Sequence, residues 1–426
     1  MLKKITALML GILVLALPLA GCGTALNGGD QVEARTLAQP GQALEDVYYN
    51  QVSDEFRASL WDFAGKTSGL ALAGGKNENS LYSPMSLYYA LGMLEAGSAG
   101  GTKTALRNFL ETGDAEVGGE LQKLYALMTL EDEGIAEQIA NAIWIREDLA
   151  DKEKDGVKKD WLDLLANQFY ASAFAVDFSD SKTAEVMSDW VEEQTRGKIR
   201  PQIDLGDPDL LLVLMNTVYF KADWEEPFSK DSIILDNFYG SDGVYGEVPY
   251  LSRLIIPNKV LVADEFDAAS IPLVSGQMKF ILPREGLTPE DLLADPDFLL
   301  SLSARNWNLA RLDLRLPKFS YRDKLDILKA MDPLGLSGIV QGTPDFSAML
   351  DRDAEVSSIS QETFIALDEK GVEAAGYTQI MMKDTSAMPQ EYEDLVLHLD
   401  RPFIFVITDD AGTPLFVGIV RNPLAE

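Results

Sequence analysis

Apolar residues recur at helical spacing in the first part of the chain and at strand spacing toward its end. Val52, Phe56, Leu60 and Phe63 predict an amphipathic opening helix. Ser83-Pro84 predicts the start of a second, with serine as N-cap and proline at the first helical position. Leu87, Ala90, Leu91 and Leu94 form its apolar face, and Gly97 ends it. Further helical patterns lie at 104–110, 161–170 and 183–195, the last closed by Gly197. Later the period changes. LLVLMNTVYF (211–220) is a continuous apolar run, which predicts a strand buried on both faces. RLDLRLPKF (311–319) alternates and predicts a half-buried strand. PFIFVIT and TPLFVGIV flank DDAG, which predicts a terminal hairpin. Helices mostly first and strands mostly later give an α+β class.

One stretch, 367–394, fits neither a turn nor a solvated loop. Val372, Ala374, Gly376, Thr378, Ile380 and Met382 fall on one side of an alternating pattern. Glu373, Ala375, Tyr377, Gln379, Met381 and Lys383 fall on the other. The first set is small or apolar, and Gly371 and Gly376 disfavour helix. Alternation alone predicts an ordinary edge strand followed by a long loop.

Composition narrows the chemistry. The 426 residues carry 46% apolar and 24% charged side chains, a globular balance with room for a large core. Lys plus Arg number 36 against 68 Asp plus Glu, a net charge of −32, which repels phosphate backbones and excludes nucleic acid as an expected partner. One Cys and one His leave no internal disulfide and too few ligands for a structural zinc site. A hydrolytic triad has only His398 to use, and VLHLD reads as a strand residue turned away from an apolar face. There is no G-x-S-x-G elbow. GSAGGTKT (97–104) imitates a phosphate loop, but Thr102 separates Gly101 from Lys103, so it reads as a helix–helix connection. No cofactor or metal is expected. Lys3 and Lys4 precede an apolar run at 5–20 that reads as a secretory signal, ending in LAGC. That ending resembles the bacterial lipobox, which makes 1–21 a leader and Cys22 an acylated membrane anchor. GTALNGGDQVEA then suits a flexible tether over 22–45, before a single globular body over 46–426.

Several separate strings, in order, resemble the serpins, a family of serine-protease inhibitors. They are NSLYSPMS (79–86), NTVYFKADWEEPF (216–228), LPKFS (316–320), DFSAML (345–350), ALDEKGVEAAG (366–376) and RPFIFVITDDAGTPLFVGIVRNP (401–423). The likeness runs from about residue 50 to the C-terminus. It implies an α+β serpin fold: a mostly helical N-terminal part packed on three β-sheets, with an exposed reactive-centre loop at about 369–394.

The resemblance also implies a mechanism without a catalytic residue of the inhibitor's own. A protease attacks the loop and becomes acylated; the cut loop then enters the central sheet as a new strand, dragging the covalent acyl complex with it. Glu369, Gly371, Val372, Glu373, Ala374 and Ala375 match the hinge, with Val372 replacing the usual Thr. The family's spacing puts the scissile bond between Thr385 and Ser386, which suits elastase-like or subtilisin-like enzymes. The stretch 385–401 is several residues longer than usual, which leaves room for a register nearer Met388. Ser83, Ser86 and Asn216 match the polar cluster where the sheet parts; Gln361 stands for the family's His and Ser188 for its Asn. Trp224 matches the tryptophan at the loop's entry. The expected protein is a monomeric, extracytoplasmic, membrane-tethered inhibitor; the alternative is a non-inhibitory member acting as a surface binding protein.

Overall fold

A computed structural model describes residues 34–75, 77–113, 116–132, 134–150, 156–372 and 392–425. The principal helices are α1 (Asp54–Ala71), α2 (Pro84–Ala96), α3 (Gly100–Phe109), α4 (Val117–Met128), α5 (Glu147–Ala150), α6 (Lys159–Gln168) and α7 (Ser181–Gln194). The described strands begin with β1 (Arg35–Ala38), β2 (Ser80–Tyr82), β3 (Leu130–Asp132), β4 (Ile135–Arg146), β5 (Ala171–Val176) and β6 (Leu212–Asp223). They continue with β7 (Ile233–Gly240), β8 (Gly243–Val262), β9 (Phe266–Pro272), β10 (Gln277–Pro283), β11 (Asn308–Pro317) and β12 (Phe319–Asp326). The last are β13 (Ser360–Leu367), β14 (Gly371–Val372), β15 (Glu393–His398), β16 (Phe403–Thr408) and β17 (Pro414–Val420).

The central sheet has the order β1-β5-β4-β6-β14-β13-β12, with β3 on β4. A second sheet runs β15-β11-β8-β9-β10-β16-β17-β2, with β7 on β8. Strand β8 is shared: residues up to Val260 pair with β7 and β11, and Lys259 to Val262 pair with β9. One long strand thus joins two of the three sheets that the family likeness implies.

Helix α2 shows why the core sits where it does. Ser83 caps it, its Oγ accepting from Ser86 N, and Pro84 occupies the first turn. Met85, Leu87, Tyr88, Tyr89, Leu91, Met93 and Leu94 are all buried, so this helix is apolar nearly all round. It packs against both β6 and β17, between the two sheets. Strands β16 and β17 are buried at every residue, as two-sided packing requires.

Three expectations change. The segment 22–45 was expected to be a flexible tether, yet Arg35–Ala38 is a strand paired antiparallel with β5 at the edge of the central sheet. The open backbone groups of β5, together with apolar packing of Leu37 and Ala38, outweigh the weak local signal. The run 211–220 is a strand, but residues 212–216 are only half-buried. Among the described residues no strand pairs directly with the β13 side of β6 below Val372. Finally, 97–104 is not all connection: Gly97 caps α2, and α3 already starts at Gly100.

Candidate functional site

The site is built where β13 ends at the top of the central sheet. The chain leaves β13 at Leu367, turns through 368–370 and returns as β14, with Leu367 opposite Val372. Asp368 makes the turn: its N–H donates to the Gly371 carbonyl at 3.0 Å, and its Oδ1 accepts from Lys370 N at 2.8 Å. On the other flank, Gly371 and Val372 pair with Asp223 and Ala222 of β6. These two residues of β14 are the pairing that connects β6 to β13 among the described residues. Val372, expected as a hinge residue, is 3% exposed. Gly371 is demanded by the same approach: a Cβ there would overlap the Ala222 carbonyl oxygen and lie 2.6 Å from Asp223 Cα, which are backbone atoms that cannot step aside.

Trp224 fastens the turn from below. Its Nε1 donates to the Asp368 carbonyl at 2.9 Å, and its N–H donates to the Lys370 carbonyl at 2.7 Å. Phe228 N takes the carbonyl between them, that of Glu369, at 2.8 Å. All three turn carbonyls are thereby satisfied by one short segment of chain. The ring of Phe228 meets the indole edge-on at 5.7 Å, and Trp224 is 1% exposed.

Glu369 supplies the charge. Its carboxylate meets Lys318 Nζ at 2.7 Å and Lys230 Nζ at 3.5 Å. The hydrogen bond from Lys318, helped by the backbone, holds the carboxyl down at about 2. A second carboxyl nearby behaves oppositely. Glu137 of β4 accepts from Ser275 Oγ in the turn between β9 and β10, and burial drives it up to about 7 against that bond, with Asp409 and Asp410 adding repulsion. The same turn hangs from the end of β6 by Val274 N to the Asp223 carbonyl, 2.8 Å.

These two groups predict opposed pH windows. From roughly pH 4.5 to 7 the folded protein keeps the Glu137 proton that the unfolded chain has released, so stability falls as pH rises. Below roughly pH 4.5 the unfolded chain takes up a proton that Glu369 refuses until about 2, so stability falls as pH drops. Thermal midpoints at pH 5 and pH 8 should therefore draw closer together in Glu137→Gln. An unchanged difference contradicts the assignment.

The expected sheet-opening residues do not form one cluster. Ser83 and Gln361 pair reciprocally: Ser83 N donates to Oε1 at 2.7 Å, and Nε2 donates to the Ser83 carbonyl at 2.9 Å. Ser83 Oγ also donates to the Leu415 carbonyl at 2.8 Å, while Ser86 joins through its N–H. Asn216 instead donates to Asn141 Oδ1 at 2.7 Å, and Asn141 donates to the Phe169 carbonyl at 2.6 Å. Ser188 bonds the carbonyls of Ala184 and Pro201, at 2.7 and 2.8 Å. The cluster thus divides into a β2–β13 lock at Ser83 and Gln361, a β4–β6 link at Asn216, and a separate helix contact at Ser188. Gln361→Ala should cost about 1–3 kcal/mol, because it leaves the buried N–H of Ser83 unpaired, while the Ser83 carbonyl keeps its bond from Leu87 N. Chemical denaturation reads this directly; a loss under about 1 kcal/mol would show that water replaces the amide.

Reading the sequence missed Lys318, Asn141, Asp368 and Phe228. Lys318 and Phe228 lie inside recognised strings, but nothing local marks them as partners of the hinge. Glu373, Ala374 and Ala375 of the expected hinge, Thr385 and Ser386 of the expected bait, and Cys22 lie outside the described residues.

Residues on both faces of the central sheet line one cavity between β6 and β13. Thr195 and Lys198 come from beyond α7, Val218 and Phe220 from β6, Phe364 and Val372 from the β13 side, and Ile407 and Phe416 from the second sheet. The central sheet is thus bridged at its top by Gly371 and Val372, and a small cavity lined by Val218, Phe220 and Phe364 lies beside that bridge.

Comparison with known proteins agrees with this geometry. Residues 60–423 match the family model described as "Serpin (serine protease inhibitor)". Serpin-Z1B of Triticum aestivum is 31% identical over 370 residues, covering 81% of this chain and 90% of that protein. Alpha-1-antitrypsin 1-5 of Mus musculus is 26% identical over 382 residues, covering 87% and 90%. The native-state crystal structure of the thermophilic serpin Tengpin superposes with a TM-score of 0.75 at 26% identity, covering 92% of this chain and all of that one. Serpin48 of the insect Tenebrio molitor gives 0.72 at 25% identity, covering 89% and 100%. A chain matched to the family model across 60–423, with Gly371 and Val372 paired between β6 and β13 at the top of the central sheet, is a member of the serpin family.

Proposed function

We propose that the protein is a suicide-substrate inhibitor of extracytoplasmic serine proteases, with elastase-like or subtilisin-like enzymes as its targets. Cleavage between Thr385 and Ser386 leaves an acyl-enzyme, and the loop after Val372 then extends β14 between β6 and β13. The observation that carries this reading is the hinge: Gly371 and Val372 already pair with both neighbours, so insertion continues a strand that has begun. Each further net hydrogen bond contributes on the order of 1 kcal/mol, and burial of the slim alternate face adds to it. The native state is then a kinetically held one that relaxes on cleavage. Chemistry stays with the protease, and the family is one of protease inhibitors rather than catalysts.

The leader ending in LAGC supports a lipid anchor at Cys22. Such an anchor places inhibition at a membrane surface, with Arg35–Ala38 docked thirteen residues further on.

Nicking the loop with a small amount of protease tests the insertion step without needing the right target. The thermal midpoint of the nicked protein should rise by roughly 10 °C or more, since several kcal/mol are gained. An unchanged midpoint would point to a non-inserting member that acts by binding alone. Labelled fatty acid incorporated into the wild-type chain and not into Cys22→Ser would support the anchor.

A further inference from the structure

We propose that the Glu137 carboxyl is a pH-sensitive fastener: protonated, it holds the β4–β6 half of the central sheet on the second sheet; ionised, it releases that half and speeds loop insertion. Strands β4 and β6 pair from Ile135 and Ala222 down to Ile145 and Leu212, so they move as one body. For a strand to enter between β6 and β13, this body has to slide on the second sheet behind it. Two turns of the second sheet grip its upper end. The β9–β10 turn holds β6 through Val274 N, which donates to the Asp223 carbonyl at 2.8 Å, and holds β4 through Ser275 Oγ, which donates to Glu137 Oε1. The β16–β17 turn backs the first, with Asp410 Oδ1 accepting from Gly276 N at 2.7 Å. The grip on β6 is made of backbone and is indifferent to pH. The grip on β4 ends in a carboxyl. Phe220, opposite Glu137 on β6, lines the cavity beside β13 and carries any shift of β4 to that gap.

The surroundings decide the direction of the switch. Glu137 is 5% exposed, and the charges that act on it, Asp409 and Asp410 of the β16–β17 turn, are both negative. Asp409 is itself buried: its Oδ1 accepts from Thr413 N at 2.7 Å, and its Oδ2 has no hydrogen-bond partner among the described residues. From the segment before α1, the Tyr49 hydroxyl faces the same three carboxyls; burial and their charge keep it protonated, so it adds no charge of its own. Lys279 of β10 faces Asp409, with its ammonium 5.6 Å from the centre of the Trp61 ring of α1. A neutral Glu137 accepts from Ser275 and sits in this pocket at little cost. Its anion is buried against two like charges with one hydroxyl for support, which burial penalises. Water relieves it only when β4 parts from the two turns, and that is the movement insertion needs. Burial, with the two carboxyls, keeps the proton on up to about 7. The closed state thus binds a proton that the parted state gives up, and each pH unit above about 7 speeds parting by up to about tenfold. This rests on the inserting reading above and adds a control to it.

Intact wild type and Glu137→Gln, both as the full chain, test this when held at one temperature below their thermal midpoints, at pH 6 and at pH 8. The measurement is the rate at which uncut protein turns into a heat-stable form. The wild type should convert about tenfold faster at pH 8 than at pH 6. Glu137→Gln, whose amide oxygen keeps the Ser275 bond at every pH, should convert at both at the slow rate that the wild type shows at pH 6. Burial raises Asp409 to about 6 and lowers Lys279 to about 8, but both titrate in either chain, so the ratio of the two chains at each pH is the reading. Asp410→Asn keeps the Gly276 bond and removes one repelling charge, so its rise in rate should begin at lower pH than in the wild type. Wild-type rates within twofold of each other at the two pH values overturn the switch. An equal rise in Glu137→Gln, or a rise at unchanged pH in Asp410→Asn, overturns it as well. In each of these cases a nicked wild type that gains heat stability leaves the inserting reading standing. If neither intact nor nicked wild type yields a heat-stable form at either pH, both readings fall.

Discussion

Val372→Arg is expected to be cut at the loop as fast as the wild type while losing at least ~10-fold in trapped complex. After acylation two processes compete, insertion of the loop and hydrolysis of the acyl bond. Insertion extends the strand from Val372, which in the intact protein is already 3% exposed and paired with Leu367 and Ala222, so an arginine that leaves this position has to be buried again as insertion begins. An arginine there has to bury a charge with no carboxylate among the cavity's lining side chains. An unpaired buried charge costs several kcal/mol. A barrier to insertion higher by only about 1.4 kcal/mol already slows it tenfold relative to hydrolysis. Electrophoresis under denaturing conditions separates the outcomes: a cleaved inhibitor band with little complex is the expected result. Undiminished complex would mean that the hinge is not the path of insertion.

Trp224→Ala is expected to produce the largest loss of stability of any single substitution near the site. The indole is fully buried, packs edge-on to Phe228 and donates to the Asp368 carbonyl. Truncating a buried tryptophan costs about 3–5 kcal/mol. In a chain this long that lowers the thermal midpoint by roughly 5–10 °C. The loss also has a kinetic side. The carbonyl of Asp368 loses its donor, and the turn that leads into the paired Gly371 and Val372 loses its floor. Incubation below the midpoint should therefore convert the variant to a more heat-stable, inactive form faster than it converts the wild type. Loss of stability without faster conversion would separate the fastening of the turn from the control of insertion.

The sequence was most readable where one local rule decides the structure. Ser83-Pro84 announces α2 because a capping hydroxyl and a proline have few other places to go. The alternation of 311–317 survives into β11 because one face is buried and the other is not. The hairpin of β16 and β17 follows from two apolar runs around a turn. Recognised strings carried the hinge as far as its position, and Gly371 and Val372 do enter the sheet.

What stayed hidden depends on partners distant in the chain. Arg35–Ala38 carries no strand signal of its own, and becomes a strand because β5 offers an unpaired edge. The grouping of Ser83, Asn216 and Ser188 as one polar cluster followed family positions. The actual bonds follow reach: Gln361 extends to Ser83, while Asn216 meets Asn141 on the neighbouring strand. The ion pair of Glu369 with Lys318 joins residues 51 positions apart, across two strands and a turn. Glu137 gives no hint in the sequence that it is buried beside Ser275, 138 positions away.

The central claim is that this protein traps a protease through its own cleavage. Mixing the purified chain with elastase, subtilisin or trypsin and boiling the mixture in detergent tests it directly. The account predicts, for at least one enzyme, a band at the summed mass of protease and inhibitor, together with a released C-terminal peptide that begins at Ser386. Rapid cutting in the loop by all three enzymes, with no covalent band, would contradict it.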